Sequence, residues 1–242
     1  MKLWTAIISI FITTSRILNA SWDPEYIPTL NNELKDPEAA QLEKNVINYI
    51  KNSWCSEEKA KLLLRLVINT QPRVCVEIGA WTGSSTLPMV AGLQYLDQGQ
   101  AYIIDAWSNQ SAIQGLPKKD SNTTWWAEVN MQAVKNQFTY TMNFWSLNSY
   151  FQVCHMSSDQ AISLIPAIDF LHLDGNFSEE GALLDSQLYV PKVTSGGYIL
   201  LSNVLLIIEE KPTKMKALWP IFEQCDIIYE IENGNAILFK KK

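Results

Sequence analysis

An α/β fold, built on a mostly parallel sheet with an antiparallel ending, is what this 242-residue sequence predicts. Three observations carry that expectation. From Gln71 onward, apolar runs of strand length alternate with segments of helical periodicity, the pattern of a parallel sheet covered by helices on both faces. The first of these runs, Val74 to Ile78, passes through Gly79 and Gly83 into Ser84, Ser85 and Thr86, a strand, a tight turn and a helix start. The chain then closes on Asp226 to Glu232, Asn233-Gly234, and Asn235 to Phe239, which read as a β-hairpin with a primed turn.

The elements follow in order. Lys2 precedes an apolar run from Leu3 to Ile12 that is too short to span a bilayer, and Leu18-Asn19-Ala20 stands before Ser21. A signal peptide over residues 1–20, cleaved after Ala20, is expected, with a secreted or periplasmic location and no stable membrane span once it is removed. Leu18 is larger than the preferred small residue and Arg16 is awkward, so a buried or membrane-anchored first helix is the competing reading. Residues 21–70 make a linker and an N-terminal helical cover. Asp36-Pro37 starts one helix with an apolar stripe of Leu42, Val46, Tyr49 and Ile50. Ser56 caps a second, whose buried face is Ala60, Leu63, Leu64, Val67 and Ile68. Packing over the sheet and part of a site mouth, rather than substrate binding, is their expected role.

Strands are expected at 74–78, 101–105, 151–155, 168–173 and 196–202. The connection 106–150 is an aromatic insertion carrying Trp107, Trp125, Trp126, Phe138, Tyr140, Phe144 and Trp145, with a crossover helix placed over Thr123 to Gln137. Its rings either line an apolar pocket, form a lid, or make a satellite core.

Composition narrows the function. With 47% hydrophobic residues there is material for one sizeable core. A formal charge of −6 and the lack of a basic patch argue against nucleic acid, and Lys240-Lys241-Lys242 reads as a solvated tail. Cys55, Cys75, Cys154 and Cys225 are compatible with disulfides in an exported protein, but Cys75, Cys154 and Cys225 fall in or beside apolar runs and no C-x-x-C spacing exists, so buried free thiols are expected. Sequons at Asn109, Asn122 and Asn176 matter only in a eukaryotic secretory route.

Trp81 stands where a dinucleotide fingerprint places its second glycine, and its bulk would block a pyrophosphate. What remains is E-x-G-x-x-x-G. The run Gly79-Ala80-Trp81-Thr82-Gly83-Ser84-Ser85 resembles the first motif of class I methyltransferases that use S-adenosylmethionine (AdoMet), and is similar to that of catechol-type O-methyltransferases. Ile168 to Asn176, ending on Asp174-Gly175, and Tyr189 to Leu200 continue the likeness across residues 71–242. The resemblance implies a Rossmann-like sheet of order 3-2-1-4-5-7-6 with the last strand antiparallel, an ending that dinucleotide folds lack. It implies AdoMet held by Glu77, Gly79, Ala80, Trp81, Gly83, Ser85, Asp105, Ser157, Ser158 and Asp174. Within that set, Asp105 ends a strand where a carboxylate can accept both hydroxyls of a ribose. Ser157 and Ser158 take the adenine position or cap a helix, and Asp174 faces the sulfonium and is the catalytic candidate.

The pattern also fails in places. Phe177 replaces the histidine or lysine that relatives carry, and a phenyl ring takes no proton. Ser202-Asn203 stands where catechol-type enzymes have Asp-Asn, so no metal ligands are assigned and a divalent metal is doubtful. His172 reads as a hydrogen-bonded core residue, and His155 lies nearer the adenine end than the methyl group. The expected activity is AdoMet-dependent O-methylation of a small-molecule acceptor. The alternative is a secreted, catalytically weakened binding or effector protein on the same fold, while a nicotinamide dehydrogenase is disfavoured by Trp81 and the hairpin.

Overall fold

The computed structural model of the protein describes residues 34–242. The expected leader, its cleavage after Ala20 and most of the linker lie outside the described residues. Two helices come first, α1 (Pro37–Ile50) and α2 (Glu57–Thr70), and both begin at the expected caps. Asp36 accepts from the N–H groups of Glu38 and Ala39, and Ser56 Oγ accepts from Lys59 N at 3.0 Å. Such oxygens satisfy first-turn N–H groups that lack an intrahelical partner. α1 buries one stripe, Ala39, Val46 and Ile50. α2 is buried nearly all round, Leu62, Leu66 and Arg65 included, and so is sandwiched rather than laid on the surface. Arg65 sits there because Glu43 of α1 pairs with it through two bonds of 2.5 and 2.7 Å.

The main sheet has seven strands: β1 (Val74–Ile78), β2 (Gln100–Ile104), β3 (Phe151–Cys154), β4 (Ile168–Leu173), β5 (Val193–Leu201), β6 (Cys225–Ile231) and β7 (Ala236–Lys241). Their order is β3-β2-β1-β4-β5-β7-β6, with β7 antiparallel to both neighbours, as the sequence predicts. Alternate residues feed two cores. Cys75, Ile103, Phe170, Leu200 and Leu238 face α1, α2 and α3 (Thr86–Leu96), whereas Val76, Ile104, Leu171, Ile199 and Phe239 face the opposite layer. All four cysteines are buried and free. No described helix is long and apolar enough to cross a membrane.

Two local expectations change. The crossover is two helices, α4 (Ser121–Glu128) and α5 (Met131–Phe144), because Val129 is extended and Asn130 starts a new cap by accepting from Ala133 N. The hairpin turn holds four residues between the Ile231–Ala236 pair, with Glu232, Asn233 and Gly234 all left-handed at φ 54°, 56° and 86°. Glu232 is drawn toward α2, where Ser56 Oγ donates to its carboxylate and Glu58 Oε2 accepts from its N–H at 2.9 Å. That tie replaces the two-residue primed turn. The opposite layer is completed by α6 (Glu179–Tyr189) and α7 (Met215–Phe222).

Candidate active site

Ile78 pairs with Ile104 on one side and Leu173 on the other. The next residue of each strand therefore leaves the carboxyl rim beside its neighbours, which brings Gly79, Asp105 and Asp174 together. A cleft of about 660 Å³ opens over them. Ala80, Trp81, Ser85, Ser157 and Ser158 also line it, whereas Glu77 and Gly83 do not. Such a crevice beyond parallel strand ends is where ligands collect in open α/β sheets.

Gly79 has φ +87°, and a Cβ there would collide with Asp174 O and stand 2.9 Å from Gly175 Cα. The loops after β1 and β4 can approach only over a bare glycine. Gly83, at φ +88°, turns its open side to Phe138 and Met142 of α5. It shapes the turn rather than the cleft.

Asp105 organises the floor. Its Oδ2 accepts from Ala80 N and Trp81 N at 3.0 and 2.9 Å, and its Oδ1 from Trp107 N at 2.7 Å. Trp81 and Trp107 are both left-handed (φ 51° and 39°), and Trp107 Nε1 donates to Trp81 O at 2.9 Å. Burial pushes the Asp105 carboxyl up, and the three N–H donors pull it back without cancelling the rise. A carboxylate offers about four lone-pair positions. With three occupied, Asp105 has room for one further donor, not for both ribose hydroxyls, and the sequence expectation is corrected to that extent.

Glu77 is corrected outright. It is fully buried and accepts from Ser85 Oγ at 2.6 Å and from Thr86 Oγ1, with His172 Nδ1 at 2.9 Å. Its carboxylate anchors the start of α3 instead of contacting a ligand, because Ser85 and Thr86 close over it. His172 bridges Glu77 to Ser202 Oγ, also at 2.9 Å, and is the core residue the sequence predicts. His155 lies outside the cleft, 2.9 Å from Lys135 Nζ.

At the other end, Ser157 occupies a helix N-cap position but makes no side-chain cap bond. Ser158 Oγ donates to Asp185, a buried cleft residue of α6 whose carboxyl burial pushes up to about 6. Asp185 carries no sequence signal, since a lone acid in a mixed helix reads as solvated.

Asp174 is held by three groups, one of them His172, whose Nε2 lies 3.7 Å from its Oδ2. Asn203 Nδ2 donates to its Oδ1, and Lys59 Nζ lies 3.6 Å from its Oδ2. Lys59 lines the cleft and was missed among the sequence candidates. Its signal was present: Lys59, Leu63 and Leu66 share the stripe spacing of i, i+4 and i+7 on α2. Burial pulls the Lys59 ammonium down in pKa, yet Asp174 and Glu232 outweigh it and hold it above the ordinary lysine value. Lys214 is wholly buried nearby, donating to Asn176 O at 3.0 Å and standing over the Phe177 ring.

The residues present do not fit a divalent metal. Asp174 is an acceptor, so the Asn203 amide must offer it N–H and turn its oxygen away. Ser202 faces His172 inside the core, and the Lys59 ammonium stands against the remaining Asp174 oxygen. Among the described residues no group of three or more His, Cys, Asp or Glu is placed to hold a metal ion.

The aromatic insertion divides its work. Trp107 and Trp126 line the cleft, Phe138 is buried, and Tyr140 and Phe144 are exposed. From the N-terminal cover, Trp54 stacks on Trp81 at 4.9 Å with planes 2° apart, and Trp126 meets Trp81 edge-on at 5.1 Å. The cover thus supplies Trp54, Cys55 and Lys59 to the wall, beyond the packing role expected of it. Asn176 is committed internally, accepting from Ser178 N and donating to Gln114 O.

A family model described as a methyltransferase domain matches residues 76–204. No curated protein matches the sequence. Among solved structures, an O-methyltransferase from Bacillus cereus in complex with S-adenosylhomocysteine (AdoHcy) is 13% identical, covering 89% of this chain and 96% of its own, with TM-score 0.54. The Streptomyces achromogenes O-methyltransferase TomG, solved with AdoMet, is 12% identical over 90% of this chain and 95% of its own, with TM-score 0.56. The Podospora anserina methyltransferase PaMTH1, bound to AdoHcy, is 12% identical over 93% and 98%, with TM-score 0.53. At such identities the likeness shows a shared fold.

Proposed function

This chain belongs to the methyltransferase-domain family, and on that premise we propose that it uses AdoMet to methylate an oxygen of a small molecule. The observation that carries the reading is the meeting of Gly79, Asp105 and Asp174 at the rim of one cleft. Bound there, AdoMet would supply an electrophilic methyl on a sulfonium. The chain's own residues supply placement. Gly79 lets the loops after β1 and β4 close up to form the floor, Asp105 would accept one ribose hydroxyl, and Ser157 and Ser158 would lie to the adenine side. Asp174 would hold negative charge toward the sulfonium. The acceptor oxygen would bond to the methyl carbon as the carbon–sulfur bond breaks and its electron pair stays on sulfur.

Phe177 leaves the usual base position without a proton acceptor. Holding two reactants in line nevertheless supplies a large share of the barrier reduction. The relatives solved with AdoMet or AdoHcy support this choice of methyl donor.

Ligand binding tests the reading. AdoHcy at about a hundredfold excess over Kd should stabilise the folded protein by about 2.7 kcal/mol and raise Tm accordingly. An unmoved Tm at millimolar AdoHcy would overturn the assignment. The leader is a separate proposal: exported material should begin at Ser21 by N-terminal sequencing, and an intact Met1 would refute it.

A further inference from the structure

With the cleft read as a methyl-acceptor site, we propose that Lys59 holds the acceptor's oxygen as an anion, taking the place that a divalent cation would have. The acceptor class is then a flat compound with an acidic hydroxyl, a phenol or enol.

The geometry leaves Lys59 one donor beyond its two carboxylate partners. Its Nζ is 3.6 Å from Asp174 Oδ2 and 4.0 Å from Glu232 Oε2. Two carboxylates thus face an ammonium that has three donors, which leaves one donor for an oxygen of the ligand. Its side chain is only 5% exposed, and it lines the cleft. In such a partly desolvated place the pull of a cation on an oxyanion is several-fold stronger than in water.

The charges around it leave room for an anion. Asp174 faces Lys59 from the end of β4, Glu232 from the β6–β7 turn, and the Cys55 thiol from just before α2. Burial pushes that thiol up to about 12, so it stays neutral. Asp174 and Asp185 also act on Lys214, opposing the burial that lowers its pKa. Asp174 is therefore shared among Lys59, Lys214 and His172, whose Nε2 lies 3.7 Å from its Oδ2.

The walls fit the same ligand. Trp54, Trp81 and Trp126 are cleft residues whose rings lie within 6.2 Å of one another, centre to centre. Aromatic faces favour offset or edge-on contact with a planar ring. On binding, the acceptor's hydroxyl proton passes to solvent and its oxygen stays on Lys59, so Phe177 has no proton to remove.

The probe is 4-nitrophenol, whose anion is coloured, titrated against the protein with AdoHcy present. Wild-type protein should bind the phenolate and lower its titration midpoint by about one pH unit, a tenfold preference for the anion. Neither EDTA nor Mg²⁺ should alter this. Lys59→Met should abolish the preference while AdoHcy affinity by calorimetry stays within about threefold, and Lys59→Arg should keep most of it. The wild-type titration decides the matter if Lys59→Met fails to fold. Absence of phenolate binding, an unshifted midpoint, a Mg²⁺ requirement, or a Lys59→Met variant that behaves as wild type would each overturn the proposal. A Lys59-dependent shift without AdoHcy binding would support the anion site and overturn the methyl-transfer reading instead.

Discussion

Asp105 holds two tryptophans in a backbone conformation that residues with a Cβ adopt at a cost of roughly 1–2 kcal/mol each. An amide cannot do the same work, because one of its two faces is a donor. Asp105→Asn should therefore lose about 1–3 kcal/mol in urea denaturation and at least about tenfold in AdoHcy affinity. An unchanged calorimetric Kd would show that the turn keeps its shape without the carboxylate. A second carboxyl sets a pH dependence. Burial lifts Asp185 from 3.8 to about 6, against the opposing Ser158 hydrogen bond and the Lys214 charge. Between those values the native state keeps a proton that the unfolded chain has released, so stability falls as pH rises through that window. Relative to Asp185→Asn, wild-type protein should lose up to about 3 kcal/mol between roughly pH 4 and 7. A difference that stays flat with pH would mean Asp185 is ionised throughout.

At the scale of elements, the strand–turn–helix unit of β1 and α3 separates its two glycines by what their missing side chains face. Gly79 abuts the backbone of Asp174 and Gly175, which cannot yield, whereas Gly83 abuts side chains alone, Met142 Cε and Phe138 Cδ2 at 3.0 Å. Gly79→Ala should destabilise by more than about 3 kcal/mol and abolish AdoHcy binding. Gly83→Ala, strained at φ but less crowded, should lose about 1–2 kcal/mol and still bind. Equal Tm values for the two variants would contradict this division. The unit was legible in the sequence because strand period, glycine spacing and hydroxyl-rich helix start agree locally. β7 was legible for a like reason, a short apolar run standing beside Asn233-Gly234. What escaped was the use of polar groups across the fold. Glu77 reads as a cofactor contact in one dimension, yet Ser85, Thr86 and His172 converge on it through packing that no local pattern encodes. Lys59 lay on a visible stripe, but only the meeting of α2 with the end of β4 gives its charge a purpose.

Taken as a whole, the molecule closes its site with chain ends that are far apart in sequence. The N-terminal cover brings Trp54 and Lys59 to the cleft, and the C-terminal hairpin grips that cover from behind. Beside the apolar packing of Ile231 and Ala236, the grip's polar part centres on one residue. Glu232 receives a hydrogen bond from Ser56 Oγ, lies 4.0 Å from Lys59 Nζ, and donates its N–H to Glu58. It does so from a turn of three consecutive left-handed residues, a shape that the helix contact holds in place. Glu232→Gln keeps the size and the backbone bond but removes the charge. A partly buried pair of this kind is worth more than an exposed one, because one end, Lys59, is almost fully desolvated. The variant should lose about 1–2 kcal/mol, lowering Tm by roughly 2–8 °C. Glu232 does not line the cleft, so AdoHcy affinity should stay within about threefold of wild type. The discriminating measurement is hydrogen exchange. Loosening the grip should raise exchange in the first turn of α2 and in the 232–235 turn together, leaving β1 and β4 protected. Exchange that rises in only one of the two segments would show that they are not coupled through Glu232.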